Sequence, residues 1–143
     1  MLIAVLNGTN SDVDVTLTAC KLGRESKDKI TLLHVIEIER DYPLDKELPD
    51  KTARGEGILA NMEKLTKKLR VSAKGELLQA RSLGAGVVSH ASDENAEIIV
   101  IGLPDFPKYG DYKIGDDLEY ILSNAQCRVV TCRAFSSNGK SRC

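Results

Sequence analysis

Four aspartates crowd one short stretch of this chain. Asp105, Asp111, Asp116 and Asp117 lie between an apolar run at residues 97–102 and a helical pattern that opens at Gly115 or Asp116. Only Lys108 and Lys113 oppose them, so residues 102–117 carry a net charge of −2. Two kinds of chemistry gather carboxylates in this way. One is a site for a hard cation such as magnesium or calcium. The other is compensation of a helix dipole, where a first-turn acid contributes about 0.3–1 kcal/mol. Asp116 and Asp117 suit the second. A phosphate, the usual guest of a helix N-terminus, would meet acid here.

The other reactive residues offer less. His34 sits inside the apolar run T-L-L-H-V-I, which predicts a buried, hydrogen-bonded core histidine, and His90 falls on the rim of a short helix, where a solvated role is expected. Neither has a G-x-S-x-G nucleophile turn to serve. There is no G-x-x-x-x-G-K-S/T loop and no G-x-G-x-x-G after the first strand pattern. Cys127 and Cys132 are an odd number of residues apart, so a strand points them to opposite faces. With no CxxC, zinc is excluded, and Cys20, Cys127 and Cys132 are read as small core residues. Cys143 is the last residue and is expected to be exposed.

These residues must be positioned by alternating elements. Residues 1–6, 29–38, 73–80, 97–102 and 127–134 read as strands. The first and fourth are unbroken apolar runs, as in a parallel sheet covered on both faces. Between the first two lies a helix capped by Asn10 or Ser11, with Asp12 and Asp14 at its positive end and Val13, Leu17, Ala19 and Cys20 as its inward stripe. The stretch from Asp41 to Lys51 holds Pro43 and Pro49 and reads as a long surface loop. A helix follows from about residue 53 to 70, with the stripe Ile58, Met62, Leu65 and Leu69; Gly55 and Gly57 place its firm start near Ile58. A short helix ends near Asn95, and a last one turns Leu118, Ile121, Leu122 and Ala125 inward. The alternation implies right-handed β-α-β crossovers in a three-layer α/β/α sandwich.

Composition excludes several classes. In 143 residues, 20 basic and 21 acidic side chains leave a net charge of −1, without the basic excess that a nucleic-acid partner requires. No apolar run approaches the roughly 18 residues of a membrane span. The N-terminus lacks the basic leader of a signal peptide, so a cytoplasmic location is expected. Residues 1–134 form one domain, and 135–143 have no periodicity and read as a disordered tail.

Four segments resemble the universal stress protein family: I-A-V-L-N-G-T-N-S, T-L-L-H-V-I, A-E-I-I-V-I-G, and the ending L-E-Y-I-L-S-N-A-Q-C-R-V-V-T-C-R. The resemblance implies the five-stranded parallel sheet of the adenine-nucleotide α-hydrolase-like folds, in order 3-2-1-4-5. It also implies a non-enzymatic regulatory protein and a homodimer through the last strand. ATP-binding members resemble one another in a motif G-x-x-G, nine residues, then G-S/T, and in an aspartate ending strand one. Here Gly102 and Gly115 match glycines, but Asp105 stands at the middle glycine, Asp116 at the hydroxyl position and Leu6 at the aspartate. The crevice, with Asn7 and Val35 as further lining, is therefore expected to be a degenerate nucleotide site that holds no cofactor in the family's manner. One like-charge contact at about 4 Å and an effective dielectric near 20 costs around 4 kcal/mol before screening. The alternative is a switch that binds ATP, ADP or AMP in the same crevice. The loop at 41–51 is also similar to that of cytosolic domains attached to amino-acid permeases and cation/proton antiporters. That similarity implies a transporter as partner or parent chain, and a place on the cytosolic face of a membrane.

Overall fold

A computed structural model of the protein describes residues 1–103 and 115–133. Asp105, Asp111, the tail and Cys143 lie outside the described residues. The elements follow one another as β1 (Leu2–Val5), α1 (Ser11–Ser26), β2 (Ile30–Glu37), α2 (Pro49–Lys68), β3 (Ala73–Ala80), α3 (Leu83–Asp93), β4 (Ile98–Gly102), α4 (Asp116–Asn124) and β5 (Arg128–Cys132). All pairings are parallel, and the sheet order is β3-β2-β1-β4-β5. The expected three-layer α/β/α arrangement is what forms.

β1 explains why its sequence shows no alternation of apolar and polar residues. It lies mid-sheet, with Leu2 beside Ile30 on one flank and beside Ile98 on the other. Its side chains still alternate in space. Leu2, Ala4 and Leu6 join Val15, Ala19 and Leu59 beneath α1 and α2, whereas Ile3 and Val5 join Val87, Leu118 and Ile121 beneath α3 and α4. A strand with cover on both faces can be apolar throughout.

Three expectations need correction. The first is the face of α1: Val13 is exposed and Leu17 half-buried, while Val15, Ala19, Cys20 and Gly23 turn inward. The second is the start of α2, which begins at Pro49 rather than after Gly57, with Asp50 in the first turn. Proline suits that first position because its missing N–H would have been unbonded there anyway. Gly55 then serves packing: a methyl group on it would meet Leu77 Cδ1 at 2.6 Å and His34 Cδ2 at 2.8 Å. The remaining loop is fastened to the sheet, as Gln79 Nε2 donates to the Leu44 and Lys46 carbonyls and Arg81 Nη1 to those of Glu39 and Tyr42. The third is α4, where Leu118 and Ile121 are buried as expected, but Leu122 is 49% exposed beside an exposed Tyr120. No helix among the described residues is long and apolar enough to cross a membrane.

Candidate functional site

The order β3-β2-β1-β4-β5 sends the chain in opposite directions from β1 and β4, which are neighbours. A crevice opens outside the carboxyl ends of strands at such a switch point. Here a cleft of about 220 Å³ lies between the end of β1 and the end of β4, with Asn7, Ser11, Gly102, Leu103, Gly115 and Asp116 in its wall. A second cleft, of about 360 Å³, continues past β2, lined by Asn7, His34, Val35, Glu37, Lys51 and Arg54. Asn7 borders both.

Glycines make the first cleft possible. A methyl group on Gly102 would run into the Ser11 hydroxyl and come within 2.6 Å of Ser11 Cβ, so β4 can end against α1 only without a side chain there. Gly115 opens α4 at φ +97°, in the region that glycine favours.

The acids divide their tasks. Asp116 is exposed on the rim. Asp117 also lines the cleft, but its Oδ1 accepts the Gly84 N–H at 3.0 Å, so it caps the start of α3 and ties α4 to it. Ser82 Oγ accepts the Ala85 N–H at the same helix start. Asp12 lies in the first turn of α1 as expected, and its carboxylate folds back onto the β1–α1 turn. Its Oδ1 accepts the Asn7 N–H at 3.0 Å and its Oδ2 the Gly8 N–H at 2.7 Å. Asn10, at the N-cap, makes no side-chain cap bond, and Ser11 Oγ bonds Thr9 Oγ1 instead. Burial pushes the Asp12 carboxyl above its ordinary pKa, opposed by those backbone N–H groups and by His34. Among the described residues, no group of three His, Cys, Asp or Glu could hold a metal ion.

The residues predicted from sequence do not all converge. Asn7, Gly102, Gly115 and Asp116 share the first cleft, and Val35 lies in the second. Leu6 is fully buried among Leu2, Ala4 and Leu59, so the first side chain after β1 to reach the crevice is that of Asn7. Asp105 lies outside the described residues. His34 is a core histidine as expected: a carbonyl can only accept, so Nδ1 donates to the Leu6 oxygen at 2.7 Å. His90 departs from expectation, being mostly buried with Nε2 2.7 Å from Glu76 Oε2 but out of hydrogen-bond alignment. Cys20 and Cys132 are buried and Cys127 is partly so. Sequence reasoning missed Lys51 and Arg54. Their signal was available, since lysine and arginine three residues apart share one helix face, but the helix was expected to start after them.

The description of the universal stress protein family matches residues 1–133. The chain belongs to that family. Solved structures share its fold at low identity. A universal stress protein from Archaeoglobus fulgidus is 14% identical with a TM-score of 0.78, over 91% of this chain and 96% of that one. The structure of the Archaeoglobus fulgidus protein in complex with dAMP is 14% identical with a TM-score of 0.73, over 91% and 94%. An Arabidopsis thaliana family protein with AMP bound is 15% identical with a TM-score of 0.66, over 96% and 93%. No curated protein matches the sequence. This universal stress protein domain thus shares the fold of those structures.

Proposed function

We propose that the crevice is an adenine-mononucleotide site and that the domain is a non-enzymatic switch read through its occupancy. The observation that carries this is a pair of clefts that share Asn7 at the carboxyl ends of β1, β4 and β2, the first of them walled by Gly102 and Gly115. The two clefts together fall within the roughly 300–1,000 Å³ of small-molecule sites. The complexes of the relatives with dAMP and AMP support the same reading. The expectation of no adenine ligand is narrowed accordingly, because the acids argue against a triphosphate rather than against the nucleoside. Ionised Asp116 can only accept hydrogen bonds, so it opposes a phosphate and suits a ribose hydroxyl. The switch would act as a homodimer through β5, a strand at a free edge of the sheet with Val129 and Val130 half-buried.

A second reading is a regulatory domain that works through partner contact and binds no nucleotide. The exposed carboxylate of Asp116 on the rim favours it. Attachment to a transporter, expected from the 41–51 loop, gains nothing from the structure, since Gln79 and Arg81 fasten that loop to its own sheet.

Calorimetric titration with AMP, ADP and ATP, each with and without Mg²⁺, separates the two readings. The switch predicts sub-millimolar AMP and weaker ATP, with Mg²⁺ recovering part of the loss by offsetting the carboxylates. Silence from all three nucleotides would leave the second reading standing.

A further inference from the structure

The turn between β1 and α1 carries a reactive dipeptide. Asn7 is followed by Gly8, and that pair recurs only as Asn138–Gly139, outside the described residues. An asparagine side chain can cyclise onto the next backbone nitrogen, and glycine offers that nitrogen with no β-carbon in the way. Three observations favour cyclisation at Asn7. The first is access: Asn7 is half-buried and borders both clefts, so water can reach its amide and a leaving group can depart. The second is the backbone. Gly8 is exposed at φ +76°, and a methyl group on it would meet Ile58 Cδ1 at 2.8 Å, so the fold itself requires the reactive glycine. The third is a base. Asp12 Oδ2 accepts the Gly8 N–H at 2.7 Å, from the nitrogen that must lose its proton, while Oδ1 holds the Asn7 N–H at 3.0 Å. Burial pushes that carboxyl above its ordinary pKa, which brings it nearer to the strength of an effective general base at neutral pH.

We propose that Asn7 is a site of self-modification, with the Gly8 nitrogen as nucleophile and Asp12 as base. Asp12 Oδ2 takes the Gly8 proton as the nitrogen bonds to Asn7 Cγ. The Cγ–Nδ2 bond then breaks, and the proton held by Asp12 departs with that nitrogen as ammonia. A cyclic succinimide remains. Water opens it at either carbonyl, giving an aspartate or an isoaspartate. Water is consumed, ammonia is released, and nothing is oxidised or reduced. The neutral amide where the two clefts meet thereby becomes a carboxylate, which can only accept hydrogen bonds. In the isoaspartate the main chain also gains a carbon, which draws the Gly8 N–H off Asp12. The turn thus writes the age of the protein into the charge of its crevice, whatever that crevice binds.

The test incubates the folded protein at neutral pH and follows Asn7 and Asn138 separately by peptide mass mapping, with enzymatic methylation to mark isoaspartate. Asn7 should convert to aspartate and isoaspartate, and faster than Asn138, which shares the dipeptide but has no acid five residues on. Asp12→Asn removes the base and should slow position 7 at least about tenfold, a conservative share of general-base catalysis, while Asn138 keeps its rate as an internal clock. Circular dichroism checks that the variant is folded. A second measurement needs no variant: in urea, where Asp12 no longer grips the turn, the two positions should convert at similar rates. An Asn7 that stays intact while Asn138 converts would overturn the proposal. It is equally lost if Asp12→Asn leaves position 7 unchanged or faster, or if unfolding speeds position 7 more than position 138, because the carboxylate would then be a clamp that protects the turn.

Discussion

The crevice has two halves that meet at Asn7, and they differ in charge and in how each was built. The β4 side is acidic and is shaped by the absence of side chains at Gly102 and Gly115. The β2 side is basic and is shaped by side chains: His34 pinned to Leu6, and α2 drawn close over Gly55. The pairing teaches that one unfavourable half does not close a site. Acid opposite base gives a bound molecule a direction, and complementarity of this kind sets specificity and orientation more than raw affinity.

Four experiments would break or sharpen this contrast. The most severe concerns the seam itself. Leu6→Asp would place a carboxylate at a fully buried position, losing the transfer energy of leucine and stranding a charge. A loss of about 3–5 kcal/mol is expected, which denaturant unfolding would show. Asn7→Asp, one residue on, should stay within about 0.5 kcal/mol of wild type, as a surface-type change does. Equal costs at the two positions would mean that the boundary between core and crevice is misplaced.

Next comes the basic half. Gly55→Ala should cost about 1–2 kcal/mol, overpacking against His34 and Leu77 exceeding the helix-propensity gain. AMP affinity should fall with it as α2, which walls the second cleft, moves outward. A gain in stability with unchanged binding would show that α2 is not held at contact distance.

On the acidic half, Asp116→Ser together with Asp105→Gly should raise ATP affinity in the absence of Mg²⁺ by about tenfold, screening at the exposed rim having trimmed the Coulomb cost. AMP affinity should change less. A matched gain for both nucleotides would mean that the acids repel phosphate wherever it lies, and the contrast between halves would lose its meaning.

The smallest effect lies beneath both halves. Asp12→Asn keeps one acceptor but turns an amine toward the other N–H, costing about 1 kcal/mol. The sign of the pH effect follows from the raised pKa of Asp12. The native state holds its proton to higher pH than the unfolded state does, so this group's contribution falls as pH rises from about 3.8 to the raised native value, and is flat above it. Thermal unfolding across the acid range should show that slope in the wild type and not in the variant.

The fold was legible because its evidence is local and repeated. The apolar runs of β1 and β4, the T-L-L-H-V-I segment of β2 and the glycine breaks each announce a buried parallel strand or its end. Gly102, Gly115 and Asp116 were legible for the same reason, because they sit where a strand stops and a helix starts. What sequence could not convey was direction. Leu6 and Asn7 are adjacent, and only the pleat decides which faces the core. Asp12 looked like a helix-dipole acid because nothing in its spacing says that the carboxylate bends backward. Lys51 and Arg54 were hidden by reading two glycines as a helix boundary, when tertiary contact at Gly55 overrides the propensity penalty. His90 looked solvated because its neighbour Glu76 comes from a different element.

The bond from Gly84 to Asp117 has a mechanical corollary. One carboxylate serves as crevice wall and as the clasp between two helices on the far layer, so the two duties cannot be varied separately. Any guest that draws Asp117 toward itself must loosen the first turn of α3. That turn borders the same cleft through Leu83, so the cleft wall and the start of α3 move as one.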